Sequence, residues 1–128
     1  MRSFRAYLYR TKEFISPEDD SFASYSIFFG ILAGLQMRDE PFDLNEGTGT
    51  VDMDGTEIFE MDTVEVTFQE GKKKVDKEVC SVMYEDGCFV AFNGGGWIED
   101  VGTYGEDMKV IGNEYLNLES SGEDVIFA

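Results

Sequence analysis

Polar and apolar positions first interchange over Arg2, Phe4, Arg5, Ala6, Leu8 and Arg10, which reads as an opening strand with a partly basic face, the pattern of an edge strand guarded by charge. Ser16-Pro17-Glu18-Asp19 then has the composition of a helix start: a serine cap, proline at the first helical position and acids that complement the helix dipole. Phe22, Tyr25, Phe28, Phe29, Leu32 and Leu35 follow at spacings of three and four, which predicts a core-facing helix from about 17 to 36. Ser24 to Phe28 also alternates as a strand would, and Gly30 and Gly34 each cost a helix about 1 kcal/mol.

From Arg38 to Thr50 the chain turns polar and carries Pro41, Asn45, Gly47 and Gly49, which predicts a loop or linker and a boundary between residues 1–45 and 46–128. Strand-like stretches come next, at Glu57 to Phe59, Thr63 to Phe68, Val75 to Tyr84, Cys88 to Phe92, Lys109 to Ile111 and Val125 to Phe127. A hairpin is expected over Val79 to Phe92 with Glu85-Asp86-Gly87 as a three-residue loop. That register pairs Tyr84 with Cys88, Val82 with Val90 and Cys80 with Phe92, and places both thiols on one buried face. The fold class expected is mainly β (α+β): a small SH3-like barrel or sandwich of hairpins in the C-terminal part, with an N-terminal strand and one helix.

Composition supports a folded domain, because an apolar fraction of 42% with eleven Phe and six Tyr is that of a packed globule. Charge changes the functional picture. Ten Lys and Arg against 27 Asp and Glu leave a net −17, a field that repels nucleic acid and suits a basic protein partner. The charge is asymmetric: residues 1–12 hold four cations and no acids, residues 13–77 sum to −11, and residues 78–128 to −10. The opening residues lack the apolar stretch of an export signal, and the longest apolar window, Phe22 to Met37, is too short to cross a bilayer. A cytoplasmic chain with no membrane association is therefore expected.

Candidate chemistry is sparse. The sequence has no His, so Ser-His-Asp and Cys-His arrangements cannot be built within it, and Cys80 and Cys88 lack the further ligands a zinc site needs. Paired acids such as Glu60 with Asp62 arise from composition in a chain with 27 of them. Asp52-Met53-Asp54-Gly55 hints at a calcium loop but lacks the later ligands. Neither metal nor cofactor is expected. Lys72-Lys73-Lys74 with Lys77 reads as a charged hairpin tip that hinders edge pairing. Gly94-Gly95-Gly96-Trp97 is the most unusual local feature, a loop that could dock its Trp on the core, a partner or a ligand. Trp97, with the acids Glu99, Asp100, Glu106 and Asp107 that follow it, makes up the candidate interaction residues.

Two stretches carry a resemblance. Thr48 to Val64, read as Thr48-Gly49, Asp52, Gly55, Ile58-Phe59-Glu60 and Asp62, is similar to the pattern T-G-x-x-D-x-x-G-x-x-I-Y-E-G-D-x-V of the YopX-like proteins of phages and prophages. Val110-Ile111-Gly112-Asn113-Glu114-Tyr115 resembles the same family's closing V-I-G-N-x-Y. Phe4-Arg5-Ala6-Tyr7 looks like its usual opening, so the resemblance spans most of residues 1 to 119. Met61 departs from it, standing where the family usually has Gly, and Leu118 stands where it often has Pro. The shared residues read as structural: Asp54-Gly55 and Gly112-Asn113 as turns, Ile58 and Val64 as core.

What the resemblance implies is a bacteriophage accessory protein from a family whose function is largely unknown. With the missing catalytic groups and the acidity, it favours a non-enzymatic role: binding of a host or phage protein with a basic surface. A sharper form is an acidic DNA mimic that inhibits a nucleic-acid-binding protein. The other readings are a ligand-binding module or enzyme at Gly94 to Trp97, and self-assembly through an exposed strand or the Phe22 to Leu35 face.

Overall fold

The computed structural model describes residues 3–70, 73–94 and 98–116. The chain is mainly β, with nine described strands and one long helix, in two compact units that divide between Glu46 and Gly47.

The first unit is built on β1 (Phe4–Leu8), β2 (Glu13–Ile15), helix α1 (Phe22–Met37) and the first half of β3 (Phe42–Val51). β1 pairs antiparallel with β2 on one side and with Phe42 to Glu46 of β3 on the other. It is therefore a central strand, not the charge-guarded edge its arginines suggest. Phe4, Ala6 and Leu8 on one face pack with Phe28, Leu32 and Leu35 of α1, as strand and helix periodicities require. On the other face Tyr7 meets Phe14 edge-on, and the Arg5 guanidinium lies 4.3 Å over the Phe14 ring while its Nε donates to Asn45 Oδ1 at 3.1 Å. The arginine is thus absorbed into the sheet by a stacking partner and an acceptor on the neighbouring strand. Arg10 donates to Glu40 at 2.9 Å, and Arg2 lies outside the described residues.

The helix starts later than Ser16-Pro17 suggests. Ser21 is the cap, its Oγ accepting from Ser24 N, because Asp19 Oδ1 accepts from both Ser21 N and Ser24 Oγ and turns the preceding acids into a brace. Those bonds hold the Asp19 carboxyl below the usual carboxylate range, the Ser21 hydroxyl foremost. Phe22 consequently falls at the first helical position and is 84% exposed, and Phe29 is also exposed, so the buried stripe narrows to Phe28, Leu32 and Leu35.

The loop expected over Arg38 to Thr50 ends at Pro41, and from Phe42 the chain is instead the ten-residue strand β3. Its poor strand propensity is overridden by pairing on both sides of the division: the first half with β1, and Gly47 to Val51 with β4 (Glu57–Phe59). The second unit continues with β5 (Asp62–Glu70), β6 (Lys73–Glu85), β7 (Cys88–Phe92), β8 (Ile98–Asp100), the short helix α2 (Val101–Tyr104), a 3₁₀ turn and β9 (Met108–Asn113). Five strands form an antiparallel sheet in the order β8-β7-β6-β5-β9. Ile58, Val64, Val66, Cys80, Val82, Ala91, Val101 and Met108 make its core, each worth roughly 1–3 kcal/mol of burial. β2 and β8 are too short to declare themselves as alternating patterns. The strand expected over Val125 to Phe127 lies outside the described residues, as does Lys72.

The β6–β7 hairpin is one residue out of the expected register. Asp86 (φ +50°) and Gly87 (φ +90°) form a two-residue turn, both central residues left-handed as a type I′ turn requires, so Glu85 pairs with Cys88, Tyr84 with Phe89 and Val82 with Ala91. Aspartate tolerates this backbone and lets the loop shorten. The slip exchanges the faces of β7. Cys80 remains in the core while Cys88 is exposed, and Val90 leaves the face of Val82. Gly112-Asn113 is likewise not a turn but the end of β9, where a bulge pairs Thr63 with Gly112 and Val64 with Val110, passing over Ile111.

Met61 occupies the left-handed region at φ +70°, where glycine is the unstrained residue. Its backbone is held there from both sides, its N donating to Val82 O and its O accepting from Glu114 N, each at 2.8 Å. Met61→Gly keeps both bonds and removes the strain, so chemical denaturation is expected to show a gain of about 0.5–1 kcal/mol after the greater unfolded-state freedom of glycine is subtracted. A loss of stability would show that the Met61 side chain outweighs its backbone.

Candidate functional site

Asp52 follows the last residue of β3 and accepts three backbone hydrogen bonds. It is 5% exposed. Oδ1 accepts from Asp54 N and Thr56 N, and Oδ2 from Val110 N on β9, all at 2.9 Å. Around it, Asp52 N donates to Thr56 O at 2.8 Å, Gly55 N to Asp52 O at 3.1 Å and Met53 N to Met108 O at 2.9 Å. Burial pushes the Asp52 carboxyl up, but the three N–H groups and nearby Lys109 outweigh it and hold it below the usual range. An oxygen pair so committed to backbone donors clamps a turn to a strand, and the calcium-loop reading of Asp52-Met53-Asp54-Gly55 gives way to a structural one.

A second polar knot joins the other motif residues. Asp62 is buried and its Oδ2 accepts from Phe59 N at 2.8 Å, closing the β4–β5 connection. Glu114 Oε1 accepts from Thr63 Oγ1 at 3.2 Å and from Ser81 Oγ in a very short bond. Asn113 Oδ1 accepts from Leu116 N at 2.9 Å and caps the helical turn that buries Tyr115. Among the described residues no buried side-chain nitrogen or oxygen lacks a partner.

The candidate interaction residues lie along one short stretch of the second unit. Trp97 lies outside the described residues, and Gly94 before it is exposed. Glu99 is half-buried on β8, opposite Ala91. Asp100 caps α2, its Oδ2 accepting from Thr103 N at 2.9 Å and Thr103 Oγ1 at 2.6 Å, so its spacing before Val101 reflects a helix start. Glu106 is exposed and Asp107 half-buried in the 3₁₀ turn. The four acids thus share a segment of nine residues, but among the described residues no three acids or thiols gather as a metal site. Lys77 Nζ, outside that stretch, pairs with Glu65 at 3.1 Å. In the first unit, sequence reasoning missed a groove of about 100 Å³ beside α1, lined by Ile15, Glu18, Ser24, Ile27, Phe28 and Ile31 among others. Its signal was the isoleucines of the apolar run that fall off the stripe of Phe28, Leu32 and Leu35.

The geometry can be set against known proteins. The model of the family described as YopX protein matches residues 3–119. The chain belongs to the YopX family. A solved structure, the crystal structure of protein EF1440 from Enterococcus faecalis, is 19% identical to this YopX-family chain with a TM-score of 0.58, covering 94% of this chain and 97% of that one. At that identity the likeness shows the fold. No curated protein matches. Among the described residues no helix of this YopX-family chain is long and apolar enough to cross a membrane. The motif residues Asp52, Gly55, Ile58, Asp62, Asn113 and Tyr115 are all taken up by turns, caps and core, and Met61 holds a left-handed backbone that glycine would take without strain.

Two measurements check these environments. Asp52→Asn is expected to cost about 1.5–3 kcal/mol at pH 7, since a charge-assisted acceptor is lost beneath backbone donors. Because the folded carboxyl titrates below its unfolded value of about 3.9, this contribution is complete above that pH and fades as pH falls through the lower folded value. Urea unfolding of both chains should therefore converge in acid, and a pH-independent difference would contradict an ionised clamp. For the thiols, burial and then Glu78 push Cys80 up to about 11. A disulfide reagent at pH 8 is expected to label Cys88 at once and Cys80 only on unfolding, and equal labelling rates would overturn this burial.

Proposed function

We propose that this chain is a non-enzymatic accessory protein, of phage or prophage type, that works by binding a protein with a basic surface. The observation that carries the reading is the segregation of charge. Residues 47–116 carry sixteen acids and five cations, a net −11, against eight acids and five cations in residues 1–46. An acid-dense unit attached to a nearly balanced one has a directional field, which raises encounter rates with cations and suppresses nucleic acid and acidic surfaces. Support also comes from the motif residues, whose polar atoms are committed to backbone donors and hydroxyls, leaving recognition to the exposed side chains around them. Glu99 and Glu106 accept no cap of the kind that occupies Asp100, which makes them the contact acids of choice. In its sharper form the partner is a nucleic-acid-binding protein whose phosphate-binding surface the acids occupy.

The test begins with affinity capture from the host and continues with the purified partner. Binding is expected to weaken at least tenfold, about 1.4 kcal/mol, in Glu99→Lys/Glu106→Lys and to weaken further between low and physiological salt. Competition by duplex DNA marks the mimic. Binding that ignores both the salt and the two lysines would sink the acidic-surface reading.

A further inference from the structure

The Gly94 to Trp97 stretch, the most unusual local feature of the sequence, is preceded by Asn93, the only one of the four asparagines that stands before a glycine. Asparagine before glycine is among the linkages most open to spontaneous attack. The following N–H reaches the side-chain Cγ only if the backbone turns toward it, and glycine has no Cβ to oppose that turn. Asn93 sits where the backbone is released to make it. The β6–β7 ladder ends with Ser81 opposite Phe92, and β7 pairs with β8 no further than Phe92 with Ile98. Gly94 is exposed, and a Cβ added there would meet nothing within 4 Å.

The other described asparagines lack this combination. Asn45 is 2% exposed within β3, and Asn113 is held at the end of β9 with its Oδ1 accepting from Leu116 N; each precedes a glutamate. Asp54-Gly55 offers a glycine too, but that N–H is committed, Gly55 N donating to Asp52 O at 3.1 Å. What Asn93 holds gives its loss a consequence. Its Nδ2 donates to Glu78 Oε2 at 3.0 Å, tying the start of the β7–β8 connection to β6 across 15 positions of sequence. An aspartate in its place sets a carboxylate against Glu78, so that an attraction becomes a repulsion.

We propose that Asn93 is a site of spontaneous deamidation whose modification breaks the tie to Glu78. The Gly94 nitrogen attacks Asn93 Cγ, the Cγ–Nδ2 bond breaks, and the side-chain nitrogen leaves as ammonia, taking up the equivalent of the proton that the Gly94 amide gives to solvent. Water then opens the resulting succinimide ring at either carbonyl, yielding aspartate or, with the backbone rerouted through the side chain, isoaspartate; water is the one co-reactant. The change is one-way, adds a negative charge to the acid-dense second unit and frees the start of the connection that carries Trp97. It stands apart from the acidic-surface reading, since it needs no partner.

Incubation of the full chain at about pH 8 and about 37 °C, followed by peptide mass analysis, decides it. A gain of about 1 Da is expected at Asn93, at least tenfold faster than at the other asparagines. Gly94→Val, at an exposed position where circular dichroism should show unchanged folding, should slow that gain about tenfold or more. Urea unfolding tests the tie. Asn93→Asp should raise the unfolding equilibrium constant about fivefold, whereas in a Glu78→Gln chain the same change should raise it less than about twofold. An Asn93 that keeps its mass over about two weeks, or gains it at the same rate in Gly94→Val, overturns the site. An Asn93→Asp effect that is absent, or equal in both backgrounds, overturns the repulsion that gives the modification its consequence.

Discussion

One carboxylate holds the second unit's turn and strand in place. Asp52 spends both oxygens on three backbone N–H groups, two in its own turn and one on β9, from a position 5% exposed. A buried anion survives only when donors replace its lost water, and here the donors are the backbone itself. The consequence reaches outward, because β9 pairs with β5, β5 with β6, and the residues of these strands enclose Ile58, Val64 and Met108. The Met61 to Glu114 bond adds a second tie between the same stretches of chain. Both motifs shared with the YopX family are therefore read most simply as two halves of one clamp.

The shared residues are occupied in holding the fold, and the surfaces around them differ between the units. The first carries an uncharged helix side with polar ends, the second a dense field of acids. An apolar patch confers contact area, whereas a field confers direction and selectivity against like charge.

Much of this was readable from residue order. The apolar run became a helix, β4 and β7 fall where their patterns place them, and Asp54-Gly55 marks a turn because left-handed backbone has few other uses, whereas Gly112-Asn113 ends a strand. What failed did so for definable reasons. Ser16-Pro17 looks like a helix start, but Asp19 braces Ser21 instead. Asp86 was expected inside a three-residue loop; its left-handed backbone shortened the turn, and a slip of one residue exposed Cys88. Of the candidate site, the acids of residues 99–107 were visible as charges, but that Asp100 is a cap and Glu106 is free to face solvent depends on α2.

Sequence alone determined the net charge, its uneven distribution, the predominance of strands and the family, all of which depend on composition and short-range order. Tertiary structure decided that a glycine-rich polar stretch would become β3, since two neighbouring strands supply hydrogen bonds that its own side chains do not favour. It also decided which side of an apolar helix is covered. Periodicity places residues on a helix surface, but only packing against β1 selects Phe28, Leu32 and Leu35 for the core and leaves Ile27 and Ile31 outside it.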